Sequence, residues 1–179
     1  YIVQGHIPDK LELIIMGGTF PSFPKKYRED TVKYALKALN DFSELFFKKS
    51  EVDFIKFKDF FLLPGDIFDD KRTKRVQNKL LKIKGKTTLV KEQLRNENAK
   101  IRCVSLVIET RPDNASLKHA NEMLRLGCTK VELGVQTIFN EVLKKINRGH
   151  TVEDSIMATR VLKNLGFKIN YHMMLGLPG

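Results

Sequence analysis

Short groups of residues with ligand-binding chemistry follow the apolar runs of this sequence. Paired glycines offer bare backbone groups to a ligand, whereas carboxylate, amide and imidazole side chains form directional hydrogen bonds. In chain order the groups are Gly17-Gly18-Thr19, Glu109-Thr110-Arg111, Gly134-Val135-Gln136, and His172 before Gly176-Leu177-Pro178-Gly179. Because each group comes where an apolar run stops, together they favour a site for a small polar cofactor.

Glu109 is the strongest single candidate. It stops the most strongly apolar run of the chain, and Pro112 prevents that run from continuing. In parallel α/β folds, ligands bind where strands end and helices begin. The alternative is a structural role, in which Glu109 pairs with Arg111 or caps the next helix. Asp113 or Asn114 is also placed to cap that helix.

Arg148 adds a guanidinium group in the loop before a predicted helix. A guanidinium can hold a carboxylate through two parallel hydrogen bonds. The alternative is a salt bridge near the N-terminus of that helix.

Taken singly, three other candidates also have ordinary structural explanations: close packing for Gly134, a loop hydrogen bond for Gln136 and a satisfied core histidine for His172.

The apolar runs alternate with helical patterns, which predicts an α/β fold with parallel strands in a barrel or a doubly wound sheet. Gly127 and Gly166 each end a helical pattern, and Thr151 with Asp154 resembles a capping box. The predicted strands are 11–16, 100–110, 130–135 and 168–174, and the predicted helices are 27–47, 87–99, 117–126 and 151–165.

Residues 48–86 show no clear period, and we expect an irregular insertion there. Four phenylalanines lie among charged residues before Pro64-Gly65: Phe54, Phe57, Phe60 and Phe61. Packing in a small satellite core explains these rings better than stacking on the bases of single-stranded nucleic acid.

The formal net charge of +11 is concentrated between Lys71 and Lys91, a stretch without an acidic residue. Such a run suits contact with the phosphates of RNA, and the alternative is a lysine-rich solvated loop. The residues expected to contact RNA are Lys71, Arg72, Lys74, Arg75, Lys79, Lys82, Lys84 and Lys86.

Other function classes find no support in the sequence. No apolar stretch approaches the ~20 residues that a bilayer span requires, and no signal peptide precedes the first strand. Cys103 and Cys128 lack metal-ligand spacing, so we expect reduced thiols and no metal site in this chain. These features predict a cytoplasmic protein without a membrane partner.

Five segments and their order resemble the radical S-adenosylmethionine domain of the Elongator catalytic subunit family, the tRNA uridine-34 acetyltransferases. The segments are IMGGTF, ETRPD, VELGVQ, NRGHTVED and GFKINYHMMLGLPG. The resemblance covers the chain except residues 50–86, and its most specific part is ETRPD followed by GVQ and NRGHT. The lysine and isoleucine content favours an archaeal source.

The resemblance implies a partial TIM-like (βα) barrel that holds S-adenosylmethionine beside a [4Fe-4S] cluster. A carbon radical would join a carboxymethyl-type group from acetyl-CoA to C5 of the wobble uridine of tRNA. Other Elongator subunits would be partners in a eukaryotic protein, whereas an archaeal one would be self-sufficient.

The resemblance also implies roles for residues of this chain. Gly17 and Gly18 would receive the methionine amino group, Glu109 the ribose and Arg148 the methionine carboxylate. The remaining matches are Thr19, Gln136 and His172 at strand ends, and Lys10, which corresponds to a lysine assigned to acetyl-CoA contact.

The resemblance places the three-cysteine cluster motif upstream of Tyr1 and the acetyltransferase-like domain beyond Gly179. The chain is therefore expected to be the central part of a radical SAM domain, inactive by itself. Thr137 stands where the family commonly has serine, and Leu175 where it often has proline. Two alternatives remain: another radical SAM enzyme, coproporphyrinogen dehydrogenase-like or methylthiotransferase-like, or a noncatalytic RNA-binding module.

Overall fold

The computed structural model describes residues 1–66 and 68–178, in two compact units. We name them the helical unit (Tyr1–Lys10 and Lys33–Arg102) and the sheet unit (Leu11–Val32 and the chain from Cys103 onward). The strands are β1 (Lys10–Ile15), β2 (Phe47–Lys48), β3 (Glu51–Val52), β4 (Arg102–Thr110), β5 (Lys130–Gln136) and β6 (Lys168–Met173). The α-helices are α1 (Lys25–Phe46), α2 (Phe54–Phe61), α3 (Asp70–Lys84), α4 (Leu89–Glu97), α5 (Leu117–Leu126), α6 (Asn140–Lys145) and α7 (Val152–Asn164). Within the described residues, no helix has both the length and the apolar character needed to cross a membrane.

The main sheet has the strand order β1-β4-β5-β6. β4 and β5 pair in parallel with Glu109 opposite Glu132, and β5 and β6 pair in parallel with Glu132 opposite Asn170. Each parallel pair needs a crossover connection. The crossover from β4 to β5 contains α5, and the crossover from β5 to β6 includes α7. The predicted α/β fold is confirmed, and the four predicted strands are neighbours in one sheet, as in a partial barrel.

Alternation along the strands gives the sheet one apolar and one polar face near the ends of β4 and β5. Leu106, Ile108, Val131 and Leu133 are buried together with apolar residues of α5 and α7. Each such side chain stabilises the fold by roughly 1.5–3 kcal/mol when it is fully buried. Glu109 and Glu132 project from the opposite side, because successive strand residues alternate between faces.

The helix boundaries follow the predicted signals in all but one place. Gly127 ends α5 in the left-handed region at φ 91°, and Thr151 with Asp154 forms the predicted capping box. The prediction that Asp113 or Asn114 caps α5 is wrong, because both lie in a 3-10 turn and Ser116 occupies the cap position.

The stretch predicted to be irregular is largely helical, so that prediction is wrong. β2 and β3 form a short antiparallel hairpin, and α2 and α3 follow it. Asp53 and Asp69 start these helices by accepting hydrogen bonds from backbone N–H groups. Phe54, Phe57 and Phe61 do recur at helical spacing, but the charged residues between them obscured the period.

The phenylalanines of α2 pack in the helical unit, which confirms the satellite-core interpretation. The ring of Phe46 on α1 lies 5.8 Å from Phe57, 5.3 Å from Phe60 and 5.7 Å from Phe61, measured between centroids. Such tilted and edge-on pairs stabilise a core beyond the area that they bury. These rings therefore anchor α2 to α1.

A buried carboxylate ties α4 to α1 within the helical unit. The Glu92 side chain is 1% exposed and accepts hydrogen bonds from Asn40 Nδ2 at 2.9 Å and Arg95 Nη1 at 2.6 Å. Burial opposes ionisation of Glu92, but the hydrogen bonds and the Arg95 charge outweigh it and lower the pKa of the carboxyl. Glu92 is thus a structural charge of the helical unit.

Candidate cofactor-binding site

A cleft of about 280 Å³ lies at the carboxyl ends of β1, β4 and β5 in the sheet unit. Its volume is near the lower end of the range for small-molecule sites. The cleft is lined by Gly17, Gly18, Thr19, Glu109, Thr110, Arg111, Gly134 and Arg148. The structure therefore brings together five of the predicted cofactor-binding residues, from two strand ends and one loop.

The glycine pair forms one wall of the cleft with bare backbone. Gly17 has φ +99° and Gly18 has φ +65°, both in a region that residues with a Cβ seldom adopt. A Cβ at Gly17 would meet no atom within 4 Å, so the cleft side of this residue is open. The backbone is therefore accessible to a ligand amino group.

The guanidinium of Arg148 lies directly against Gly134. A Cβ on Gly134 would be 2.8 Å from Arg148 Nη2 and 3.0 Å from Gln136 Nε2, closer than ordinary contacts allow. Arg148 Nε is buried and has no hydrogen-bond partner among the described residues. No carboxylate of the described chain pairs with Arg148 either, so the salt bridge considered as the alternative does not form. Arg148 thus lines the cleft and keeps a buried Nε–H that has no partner within the described residues.

Glu109 has neither of the structural partners that the sequence suggested. Arg111 instead grips Asp113, with Nε and Nη2 at 2.9 and 2.8 Å from its two carboxylate oxygens. Glu109 lies within 3.4 Å of His172 Nδ1, and its side chain is 29% exposed at the cleft. A part-exposed carboxylate at a strand end can accept hydrogen bonds from hydroxyl groups.

His172 supports Glu109 and does not line the cleft. Its Nε2 lies 2.9 Å from Glu132 Oε2, so the ring bridges two carboxylates. Glu132 was missed in the sequence, where it reads as one residue of a buried strand. The available signal was its spacing of two from Gly134, which places both residues on one face of β5.

Gln136 ends β5 in a strained conformation. It is buried and has φ 68°, which is uncommon for a residue with a Cβ, and the pairing of β5 with β6 shifts between Leu133 and Gln136. Its amide does not line the cleft, although Nε2 lies close to Gly134. A cofactor contact by Gln136 stays a prediction.

His150 fixes the loop that carries Arg148, a role that the sequence did not reveal. It is buried, and its Nε2 lies 3.3 Å from the carbonyl oxygen of Val135 at the end of β5. Burial lowers the pKa of His150 and favours the neutral ring, whose Nε2–H donates to that oxygen. The loop is thereby held at the end of the strand.

Two other predicted features are not among the residues that line the cleft. Lys10 is the exposed first residue of β1, whereas the glycine pair follows the last, so acetyl-CoA contact by Lys10 stays a prediction. In the predicted GLPG group, Gly179 lies outside the described residues.

The predicted RNA-contacting cations divide between two faces of α3. Arg72 donates to the carbonyl oxygens of Phe61 and Leu62 at 2.8 and 3.0 Å, and Lys79 donates to that of Phe60 at 2.9 Å. These carbonyls end α2, where the helix dipole places partial negative charge. Arg72 and Lys79 thus stabilise α2.

The other cations of α3 face away from α2. At 100° per residue, four of them fall on one side of the helix, and all four are exposed. We name this set the outward stripe: Lys71, Lys74, Arg75 and Lys82. Lys84 lies 4.5 Å above the Tyr34 ring, and Lys86 is exposed beyond the end of α3. The solvated loop considered for this run is instead a helix with a basic face.

The described chain does not fit the ligand set of an iron–sulfur cluster. No group of three or more potential metal-ligating side chains occurs in residues 1–66 and 68–178. Burial raises the pKa of Cys103 and raises that of Cys128 to about 12, which favours the thiol over the thiolate that such clusters require.

The sequence pattern of the Radical SAM superfamily matches residues 4–179. This chain belongs to that superfamily. It is similar to the tRNA uridine(34) acetyltransferase of Methanocaldococcus infernus, with 42% identity over 98% of this chain and 25% of the relative. It is 33% identical to Elongator complex protein 3 of Saccharomyces cerevisiae, over 97% of this chain and 24% of the relative. The chain therefore spans about a quarter of the length of these curated relatives.

A solved radical SAM structure has the same fold. The archaeal Methanocaldococcus infernus Elp3 with an N-terminal deletion (1-46) matches with a TM-score of 0.74 and 41% identity, over 99% of this chain and 32% of that one. The resemblance to the Elongator catalytic subunit family that the motifs indicated is confirmed.

Proposed function

We propose that this chain is the central part of the radical SAM domain of a tRNA uridine(34) acetyltransferase. The whole protein would add a carboxymethyl-type group, derived from acetyl-CoA, to C5 of the wobble uridine. The names of the most similar relatives support the reaction class. The observation that carries the proposal is the unpartnered Arg148 guanidinium in one cleft with Glu109 and the glycine pair.

The lining residues fit the polar groups of S-adenosylmethionine. Carbonyl oxygens of Gly17 and Gly18 would accept hydrogen bonds from its amino group, and Arg148 would donate to its carboxylate. Glu109 would accept from the ribose hydroxyls, and Thr19 adds a hydroxyl at the wall. This division matches each ligand group to a residue of the correct donor or acceptor type.

When bound, S-adenosylmethionine and a [4Fe-4S] cluster supply the carbon radical, and the protein orients them. Because Cys103 and Cys128 do not fit the cluster, we assign no step of this chain through it. Within this chain, Arg148 would bind the methionine carboxylate and Glu109 would bind the ribose. The backbone of the glycine pair would bind the amino group. We also keep Lys10 as a proposed contact for acetyl-CoA.

The outward stripe is the proposed contact with tRNA phosphates. Lys71, Lys74, Arg75 and Lys82 are exposed, and none forms an ion pair within the described part of the chain. Clustered cations bind phosphates by releasing counterions, and that binding weakens steeply with salt. A tRNA substrate also supports a cytoplasmic location. Other Elongator subunits are proposed partners for a eukaryotic protein only.

Calorimetric titration of the full-length protein with S-adenosylmethionine tests the cofactor site. Arg148→Lys should raise Kd by roughly tenfold to a hundredfold, because an ammonium cannot reproduce a planar two-donor contact. Glu109→Gln should raise it by a similar factor. Arg125→Lys is the matched control, since Arg125 pairs with Glu122 outside the cleft. Unchanged affinity in both cleft variants, with the fold intact, would refute the assignment.

The salt dependence of tRNA binding tests the outward stripe. Replacing its four cations by glutamine should flatten the slope of log K against log salt by up to about four units. The control replaces four exposed lysines that lie in the sheet unit and not on α3: Lys118, Lys144, Lys145 and Lys163. Equal slopes for the stripe variant and the parent would remove the stripe from the RNA-binding surface.

A further inference from the structure

Two carboxylates from neighbouring strands lie side by side on one face of the main sheet. Glu109 and Glu132 are direct partners in the parallel register of β4 and β5, so their side chains project from the same face. Glu132 is the more buried of the two, with 11% of its side chain exposed against 29% for Glu109. Two like charges in this position repel each other unless a cation lies between them.

The ring of His172 lies between the two carboxylates. His172 follows Asn170 by two residues on β6, and Asn170 is the register partner of Glu132, so the imidazole falls on the same face as both carboxylates. Nε2 lies 2.9 Å from Glu132, and Nδ1 lies 3.4 Å from Glu109. The imidazole therefore lies between both carboxylates, with a hydrogen bond to Glu132 and a longer contact with Glu109.

The two carboxylates differ in their other partners. Glu132 also has Lys130 Nζ at 3.7 Å, and that amine lies 2.9 Å from Glu12. Among the described residues, His172 is the ionisable side chain whose nitrogen lies within 4 Å of a Glu109 carboxylate oxygen. Glu109 therefore depends on His172 for its orientation, and His172 is anchored by its shorter contact with Glu132.

We infer that Glu132 and His172 are positioning residues for Glu109. Glu132 fixes the imidazole from the buried side, and the imidazole holds one oxygen of Glu109, which leaves the other oxygen for the ribose hydroxyls of the ligand. This inference rests on the proposed role of Glu109 in the cofactor site. Neither Glu132 nor His172 lines the cleft, so their effect on the ligand is indirect.

The test measures how well the full-length protein distinguishes a ribose from a deoxyribose. The probes are S-adenosylhomocysteine and its 2′-deoxyribose analogue, and the measured quantity is the ratio of their Kd values by calorimetry. In the parent protein the ribose form should bind about tenfold more tightly, the worth of one hydrogen bond to a charged acceptor. Glu109→Gln should bring the ratio close to one.

Glu132→Gln and His172→Gln should each reduce the ratio by about three- to tenfold, as expected for residues in direct contact with Glu109. In a Glu109→Gln background, the same changes should have no further effect on the ratio. Glu122→Gln is the matched control, since its carboxylate is paired with Arg125 away from the cleft. It should lower stability without altering the ratio.

The outcomes separate the inference from the proposed function. If Glu109→Gln abolishes the discrimination while Glu132→Gln and His172→Gln keep the parent ratio, the positioning role is refuted and the cofactor site stands. If the parent shows no discrimination and Arg148→Lys binds S-adenosylhomocysteine as the parent does, both fail. Should Glu132→Gln not fold, Glu132→Asp and His172→Gln give the same decision, because each changes the contact while keeping a polar group.

Discussion

Gly134→Ala should weaken cofactor binding without unfolding the protein. The added Cβ would be 2.8 Å from Arg148 Nη2, whereas ordinary contacts begin near 3.4 Å. The guanidinium must therefore move by about 0.6 Å, enough to lose a sizeable part of a well-aligned contact. Because that atom ends a flexible side chain and the backbone of Gly134 is not left-handed, the fold can absorb the change.

The expected cost is about one charge-assisted hydrogen bond. Displacing one of two donors should raise the Kd for S-adenosylmethionine by about tenfold, or about 1.4 kcal/mol. Calorimetric titration of the full-length protein measures this value, and thermal unfolding without ligand should shift little.

A double-mutant cycle makes this prediction specific to Arg148. In an Arg148→Lys background there is no guanidinium for the new methyl group to displace, so Gly134→Ala should have a much smaller effect. Equal effects of Gly134→Ala in both backgrounds would show that it acts through the backbone or the cleft wall. A parent-like Kd for the single variant would show that the Arg148 contact with Gly134 is irrelevant to binding.

Further variants test the structural groups around the site. Arg72→Gln should lower the free energy of unfolding by about 1.5–3 kcal/mol, because its hydrogen bonds to the α2 carbonyls are lost. The control Lys71→Gln should change the free energy of unfolding by less than about 0.5 kcal/mol. Denaturant titration measures both values. Glu92→Gln should lower the free energy of unfolding by about 1.5–3 kcal/mol because it removes the charge-assisted hydrogen bond with Arg95, which keeps Asp41 and Glu44 as partners. A parent-like midpoint would contradict the structural role of the Glu92 charge. The lowered pKa of His150 predicts stability that is complete above the unfolded-state pKa of about 6.5 and declines as pH falls below it. His150→Gln should reduce this decline between pH 7.5 and 5.5, and some should persist because burial also lowers the pKa of His119.

The sequence was most informative where local signals and topology agree. The ends of parallel strands meet at one edge of a sheet, so the order of apolar runs was sufficient to bring Gly17 and Glu109 together. Arg148 lies in a loop after α6, and its place at the cleft was implied by the family resemblance. The capping box at Thr151 and the left-handed Gly127 depend on neighbouring residues only, and both were predicted correctly. Such features do not require knowledge of the tertiary structure.

The misses have two different causes. In α3, Val76, Leu80 and Ile83 have helical spacing, but they are sparse among cations, and Arg72 is explained only by the carbonyls of α2. Asp113 was expected to cap a helix, whereas in the fold its carboxylate is used by Arg111. The role of Arg72 depends on where α2 ends, which a pattern along α3 alone does not contain. Asp113 instead lies in a 3-10 turn that precedes α5, and it pairs with a residue only two positions away.

Glu132 shows how packing on one face of the sheet controls chemistry on the other. Its position opposite Glu109 depends on the register of β4 and β5, and a slip of one residue would move it to the helix-covered face. That register is held by Val131 and Leu133, which are fully buried on the opposite side of β5. Loosening their packing should therefore disturb the contacts of His172 with both carboxylates, even though neither apolar residue touches the cleft.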